Sequence, residues 1–224
     1  MTVTPAQAYR PVQVETREQI LKAAWDLFAE RGFEDVSVRD VTNAAGVNLA
    51  SVSYHFGGKE GLIQETVKLC MNPINEYRIN LLKKAIEEHG SAENVPLETI
   101  MNALMRPAVM PEECGVRSGL MLRLVARYLI ESDYNIPSVS RNLYTDVFQT
   151  FAMALKAHFP KLTGPQLVKR IVFASGAVIY YHGVGKLAMQ LSAGGHGDPQ
   201  EIDREAMLAE VIDFSIYGFG GQPE

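Results

Sequence analysis

The densest punctuation in this sequence lies between Thr16 and Phe56, and it leaves room for little except three short helices around one small core. Thr16, with Gln19 three residues later, has the form of a capping box. Ile20, Ala24, Leu27 and Phe28 then recur at helical spacing until Gly32 supplies a stop, which predicts a first helix over roughly 16 to 31. Ser37 opens a second helix, with Asp40 at its third position and Val38, Val41 and Ala45 facing inward, and Gly46 closes it. Asn48 is positioned to cap a third, very short element, Leu49 to Tyr54, before Phe56, Gly57 and Gly58 break the chain. Only Gly46, Val47 and Asn48 separate the second helix from the third.

The rest of the chain is also helical in pattern. Residues 1–14 carry two prolines and no helical periodicity, so they are expected to form a flexible arm. From Lys59 the periodicity resumes through Leu62, Val67, Leu69, Met71 and Ile74, with a kink expected at Pro73. Prolines then delimit helical segments near 97–109, 115–132, 137–158 and 164–192. Gly194, Gly195, Gly197 and Pro199 mark a loop, and Arg204 to Tyr217 forms a last helix. No strand-like alternation competes. The expected fold is all-α with about nine helices: the arm, an N-terminal three-helix helix-turn-helix domain over 15–62, a C-terminal helical domain over 63–219, and a tail over 220–224.

Composition narrows the function classes. At 47% hydrophobic and 21% charged residues the chain has ample material for a core. No apolar run approaches the length of a membrane span, and no basic stretch precedes an apolar one at the N-terminus, so a cytoplasmic protein without a membrane partner is expected. Cys70 and Cys114 lack CxxC spacing and read as thiols of a reducing compartment. His55 has no metal-ligating partners at suitable spacing, and neither a metal nor a cofactor is expected. There is no phosphate loop, nucleophile elbow or Ser/His/Asp arrangement, so the chain does not read as an enzyme. The net charge of −5, with six Lys/Arg against eight Asp/Glu in residues 1–60, argues against bulk attraction to nucleic acid. Any DNA contact must therefore rest on a local face.

Such a face is offered by AGVNLASVSYHF, residues 45–56. Val47, Val52 and Phe56 can pack inward, leaving Asn48, Leu49, Ala50, Ser51, Ser53, Tyr54 and His55 outward on a short helix whose small residues suit a major groove. Spacing alone fits a plain helical hairpin equally well. The longer string ILKAAWDLFAERGFEDVSVRDVTNAAGVNLASVSYHFGGKEGLI, however, resembles the DNA-binding domain of the TetR family of repressors from residue 16 to about 66. The likeness is carried by Phe28, Gly32 and Phe33, by Ala45-Gly46-Val47, by Tyr54-His55-Phe56 and by Lys59-Glu60. It implies base or groove contacts from Asn48, Leu49, Ala50 and Ser53, phosphate contacts from Tyr54, His55 and Lys59, and backbone contacts from Thr16 and Arg39. On this reading Glu30, Glu34 and Asp35 lie away from the DNA face. One departure is Gly57-Gly58, where the family usually places a Ser-like cap.

Beyond residue 66 the resemblance implies architecture: a ligand-binding and dimerisation domain whose last two long helices pair with their twins in a homodimer. RSGLMLRLVARYLIES, SRNLYTDVFQTFAMALKAHFP and RIVFASGAVIYYHGVGKL loosely resemble a subgroup that includes fatty-acid-responsive repressors. Ala174, Ser175, Gly176 and Ala177 suit close helix approach, either to a twin or within one subunit. Met101, Leu104, Met105, Met121, Leu124, Phe148, Phe151, Met153 and Tyr180 are candidates to line an apolar pocket for a small-molecule effector. Arg123 and Arg127 share a stripe with Leu120 and Leu124; a buried guanidinium there needs an anion, either Glu131 or Asp146 or the carboxylate of a ligand. The expected function is a repressor released from a double-stranded, pseudo-palindromic DNA operator by that effector. The alternative is a DNA-binding protein of the same fold that acts through a protein partner or as an activator.

Overall fold

The computed structural model describes residues 5–116, 124–125, 128, 138–192 and 203–220, with side chains described from residue 15 onward except at 138–143, 182–183, 185–192 and 220. Among these residues there are eight α-helices and no strand: α1 Pro5–Arg31, α2 Val38–Ala45, α3 Ala50–Phe56, α4 Lys59–His89, α5 Leu97–Val109, α6 Ser138–His158, α7 Gly164–Ser192 and α8 Arg204–Gly220. The chain divides into two compact units, Met1–Cys70 with Gly119–Ser140, and Met71–Ser118 with Arg141–Glu224. The division falls inside α4, whereas the sequence suggested a boundary at residue 62. Helical periodicity runs through this point without a break, so no sequence signal marks it.

In the first unit α1 starts at Pro5, not at Thr16. Proline at the first helical position gives up only an N–H that a helix leaves unbonded anyway, and Ala6, Gln7, Ala8 and Arg10 favour helix after it. Thr16 therefore lies inside a helix and is not its cap. Ile20, Leu21, Ala24, Trp25 and Phe28 form the buried stripe of α1. Phe28 meets Phe33 at 5.3 Å between ring centroids, and Phe33 meets Tyr128 edge-on at 6.2 Å, which brings a residue from far along the chain into this core.

The α2 start follows its sequence signal. Ser37 Oγ accepts the Asp40 N–H at 3.2 Å, and Asp40 Oδ2 accepts the Ser37 N–H at 2.8 Å. Gly46 ends α2 in the left-handed region at φ 67°, where a Cβ would be strained.

The core of the second unit is assembled around α5, whose Ile100, Met101, Leu104, Met105 and Ala108 are buried against α7 and α8. Arg106 on α5 pairs with Glu113 at 2.7 Å and Glu205 at 2.8 Å, so one guanidinium ties α5 to the turn at Pro111–Cys114 and to the start of α8.

The capping box makes α2 sensitive to substitution and acid. Hydrogen bonds from Ser37 hold the Asp40 carboxyl below its ordinary range. That contribution is complete above the usual carboxylate pKa and is lost as pH falls through the depressed value. Ser37→Ala should destabilise the protein by about 1 kcal/mol and move the acid-unfolding midpoint upward, as read by circular dichroism against pH. An unchanged midpoint would remove the box from the account.

Candidate nucleic-acid interface

α3 has only seven residues, so its position is fixed from outside. Val47 N–H donates to the Thr42 carbonyl at 3.0 Å, which closes the turn after α2. Asn48 then starts α3 twice over: its side-chain oxygen accepts the Ala50 N–H at 2.9 Å, and its main-chain carbonyl accepts the Ser51 N–H at 2.9 Å. Val52 and Phe56, four residues apart on the inner side, are buried. The guanidinium of Arg17 lies 5.4 Å from the Phe56 ring centroid and also pairs with Glu65 on α4, so α1, α3 and α4 meet at Phe56.

The opposite side of this segment presents Asn48, Leu49, Ala50, Ser53 and Tyr54, all exposed, with Ser51 and His55 half-buried. Tyr54 and His55 contact each other edge to face at 5.0 Å. No Asp or Glu occurs between Asp40 and Glu60. Lys59 opens α4 beside this face, half-buried, with its ammonium donating to the Glu34 carbonyl at 3.3 Å. The turn after α1 therefore reaches Lys59 through its main chain. Among the described residues no carboxylate pairs with this lysine. Arg39 is exposed on α2, and Thr16 is half-buried inside α1. The amides of Ala50 and Ser51 already have acceptors in Asn48, so the outward chemistry of this segment resides in side chains.

The candidate pocket residues disperse. Met101, Met105 and Phe151 are buried in the core of the second unit, and Phe148 is half-buried against it, stacked on Tyr144 at 5.7 Å. Leu124 is buried but belongs to the first unit. Tyr180 is an outright correction: it is exposed, because the buried stripe of α7 runs through Leu167, Ile171, Ala174 and Val178 and turns residue 180 to the other side. Met153 is likewise exposed on α6. Met121, Arg123 and Arg127 lie outside the described residues. A buried cation that sequence reasoning passed over is Arg78, which continues the α4 stripe of Met71, Ile74 and Asn75 toward Leu82. Its spacing was the available signal.

Two sequence profiles match the chain: one described as bacterial regulatory proteins, tetR family, over residues 20–66, and one described as tetracyclin repressor-like, C-terminal domain, over residues 102–218. The probable HTH-type transcriptional regulator YttP of Bacillus subtilis (strain 168) is 41% identical over 56 residues, 25% of this chain and 27% of that protein. An HTH-type transcriptional repressor of Mycobacterium tuberculosis (strain ATCC 25618 / H37Rv) is 35% identical over 98 residues, 40% of this chain and 52% of that protein. The chain thus spans between about a quarter and about half the length of these curated relatives. The crystal structure of HlyIIR, a hemolysin II transcriptional regulator, superposes with a TM-score of 0.60 over 90% of this chain and 97% of that one at 18% identity, a likeness of fold.

The joint between α3 and α4 generates a test. A Cβ built on Gly61 would fall inside the Phe56 carbonyl, which is backbone and cannot swing aside. Gly61→Ala should therefore push α3 off α4, costing about 1–3 kcal/mol as overpacking does. Thermal denaturation reads the cost; a melting temperature equal to that of the unsubstituted protein would mean the close approach is absent in solution.

Proposed function

The chain belongs to the TetR family of bacterial regulatory proteins, and from that membership we propose that it is a homodimeric transcriptional repressor, released from a pseudo-palindromic operator when a small molecule occupies its second unit. The observation that carries the DNA reading is the α3 face: anchored by Val52 and Phe56, free of carboxylates, and outward through small and polar side chains. The relatives' names describe transcriptional regulators, which supports a regulator and not an enzyme.

In this reading α3 enters the major groove. Leu49 and Ala50 offer apolar contact to thymine methyls, and Ser53 offers a hydroxyl to base edges. Asn48 has its oxygen engaged by the Ala50 N–H, so it faces the groove as a donor through Nδ2. Tyr54, His55 and Lys59 hold phosphates, with Arg39 and Thr16 as further backbone contacts and Ser51 at the edge of the face. Lys59 exchanges the Glu34 carbonyl for a phosphate oxygen.

The homodimer is supported by the outer faces of α7 and α8, two helices that pack on each other. Phe173 is 66% exposed, Tyr180 71%, Phe214 70% and Tyr217 80%, with Val172 beside them. A monomer in water rarely keeps so many large apolar groups uncovered, and a second copy of the same helices would bury them symmetrically. The effector reading is supported by the methionine-containing core at Met101 and Met105 with Phe148 and Phe151. Release acts through α4, which begins three residues after α3 and supplies Met71–His89 to the second unit. Movement of α4 is felt at α3 through Gly61 and Glu65.

Genomic footprinting should reveal twofold-symmetric sites, and sedimentation should give a dimer at micromolar concentration. Phe173→Glu should convert it to monomers and abolish the symmetric footprint. A stable monomer with an asymmetric footprint contradicts the proposal.

Lys59→Ala should weaken binding to all sequences alike and lower the slope of log affinity against log salt by about one. Substitution of Ala50 should instead change which bases are preferred. Unaltered affinity and salt dependence in the Lys59 variant would remove its phosphate role.

A further inference from the structure

Arg78 is the residue out of character on the buried face of α4, at 8% exposure among Met71, Ile74, Leu82 and Ala85. Its Nε donates to the Leu104 carbonyl on α5 at 2.8 Å, and Nη1 donates to Asn75 Oδ1 at 3.0 Å. Both acceptors are uncharged. Among the described residues no carboxylate pairs with the guanidinium, and its hydrogen bonds run from Nε and Nη1, while Nη2 is not one of the fully sealed polar atoms. The same unit gives the more exposed guanidinium of Arg106 two carboxylates, Glu113 and Glu205.

Burial pushes Arg78 down to about 10, with Tyr144 and Cys114 nearby acting in the opposite direction. At neutral pH the group is therefore still a cation. A cation held this deep with only neutral acceptors is costly, and the cost is relieved by an anion that enters with its own hydrogen-bond acceptors. The Asn75 and Leu104 contacts hold the guanidinium plane in one orientation, which prepares its remaining N–H groups for a planar, two-oxygen partner.

We propose that Arg78 is the anchor for the carboxylate of a small organic acid, and that this acid is the effector class of the second unit. The inference rests on the reading that a small molecule is sensed there. The carboxylate takes the free N–H groups of Nη1 and Nη2, while the apolar body of the acid lies among the buried side chains of α5 and α6. Because Arg78 stands on α4, the acid bears directly on the helix whose Gly61 and Glu65 hold α3.

The test uses the full-length protein and two matched pairs of probes, decanoate with decanol and 2-naphthoate with 2-naphthol. Binding is read by thermal shift, and release of footprinted operator DNA by fluorescence anisotropy. At least one acid should raise the melting temperature where its neutral twin does not, and Arg78→Met should weaken that acid by about tenfold or more, as loss of a charge-assisted hydrogen bond does. Arg78→Lys, which keeps the charge and loses the fork, should retain preference for the acid at reduced affinity. It also serves where the methionine variant fails to fold. Equal shifts for acid and neutral twin, an Arg78→Met protein that binds the acid as tightly as the unsubstituted one, or no shift with either acid would each overturn the anchor. Failure of the sensing reading has a different signature: an acid that binds through Arg78 yet never releases the operator leaves the anion site standing and removes the effector role.

Discussion

Burial of Val52 and Phe56 is the contact on which every outward residue of α3 depends. A seven-residue helix has too few internal hydrogen bonds to persist alone, so its orientation is borrowed from its neighbours. Three helices of the first unit meet at Phe56. Arg17 of α1 covers the ring, Gly61 of α4 admits the carbonyl, and Glu65 of α4 holds the arginine in place. The same three contacts tie α4 to the outward face of α3.

How much of this was legible in the sequence follows from the range of each signal. Ser37 with Asp40, Gly46 and Asn48 act within four residues of themselves: Ser37 caps α2 and Gly46 stops it, while Asn48 stands one residue before the α3 N-cap, Leu49, and accepts the Ala50 N–H. The α3 face was legible because a short helix has only one buried stripe to assign. At the α1 start the local signal fails: Thr16 and Gln19 match a capping box, but the cap forms only if the chain before them is not helical, and Pro5 starts the helix earlier. Hydrophobicity alone assigns Tyr180 to a pocket, whereas the Ile171, Ala174 and Val178 stripe directs it outward. Arg78 escapes a sequence reading for the opposite reason, since a charged residue is by default assigned to solvent. The proximity of Glu34 to Lys59 depends on how α1 and α4 pack, which no local pattern encodes.

α7 and α8 each carry two apolar faces with different roles. Met207, Leu208, Val211 and Ile212 on α8 close the core of the second unit, while Phe214 and Tyr217 stand outside it. On α7, Ala174 faces inward, and Gly176 lies in open space where an added Cβ would touch nothing. The small residues of this helix therefore divide between the two faces. Gly176 leaves the flank of Phe173 and Tyr180 low enough for another helix to approach closely. A homodimer built on these faces couples to folding only weakly, because the inner stripe is complete without it.

In the proposed role, electrostatics also explains why such a protein can be switched. A chain of net charge −5 gains little from long-range attraction to DNA, and the fixed cations assigned to the proposed interface are few, Lys59 on α4 and Arg39 on α2. Affinity must then come from short-range fit of two α3 helices at once, each contributing polar and methyl contacts that vanish with small displacement. A protein held mainly by counterion release would tolerate such displacement, since charge interactions fall off slowly with distance. One held by fit does not. A modest shift of α4 in each subunit leaves only one half-site engaged, and by linkage the operator must oppose the effector by the same factor with which the effector opposes the operator. The acidic balance that first argued against a nucleic-acid partner therefore becomes, for a dimeric repressor, the condition that makes release steep.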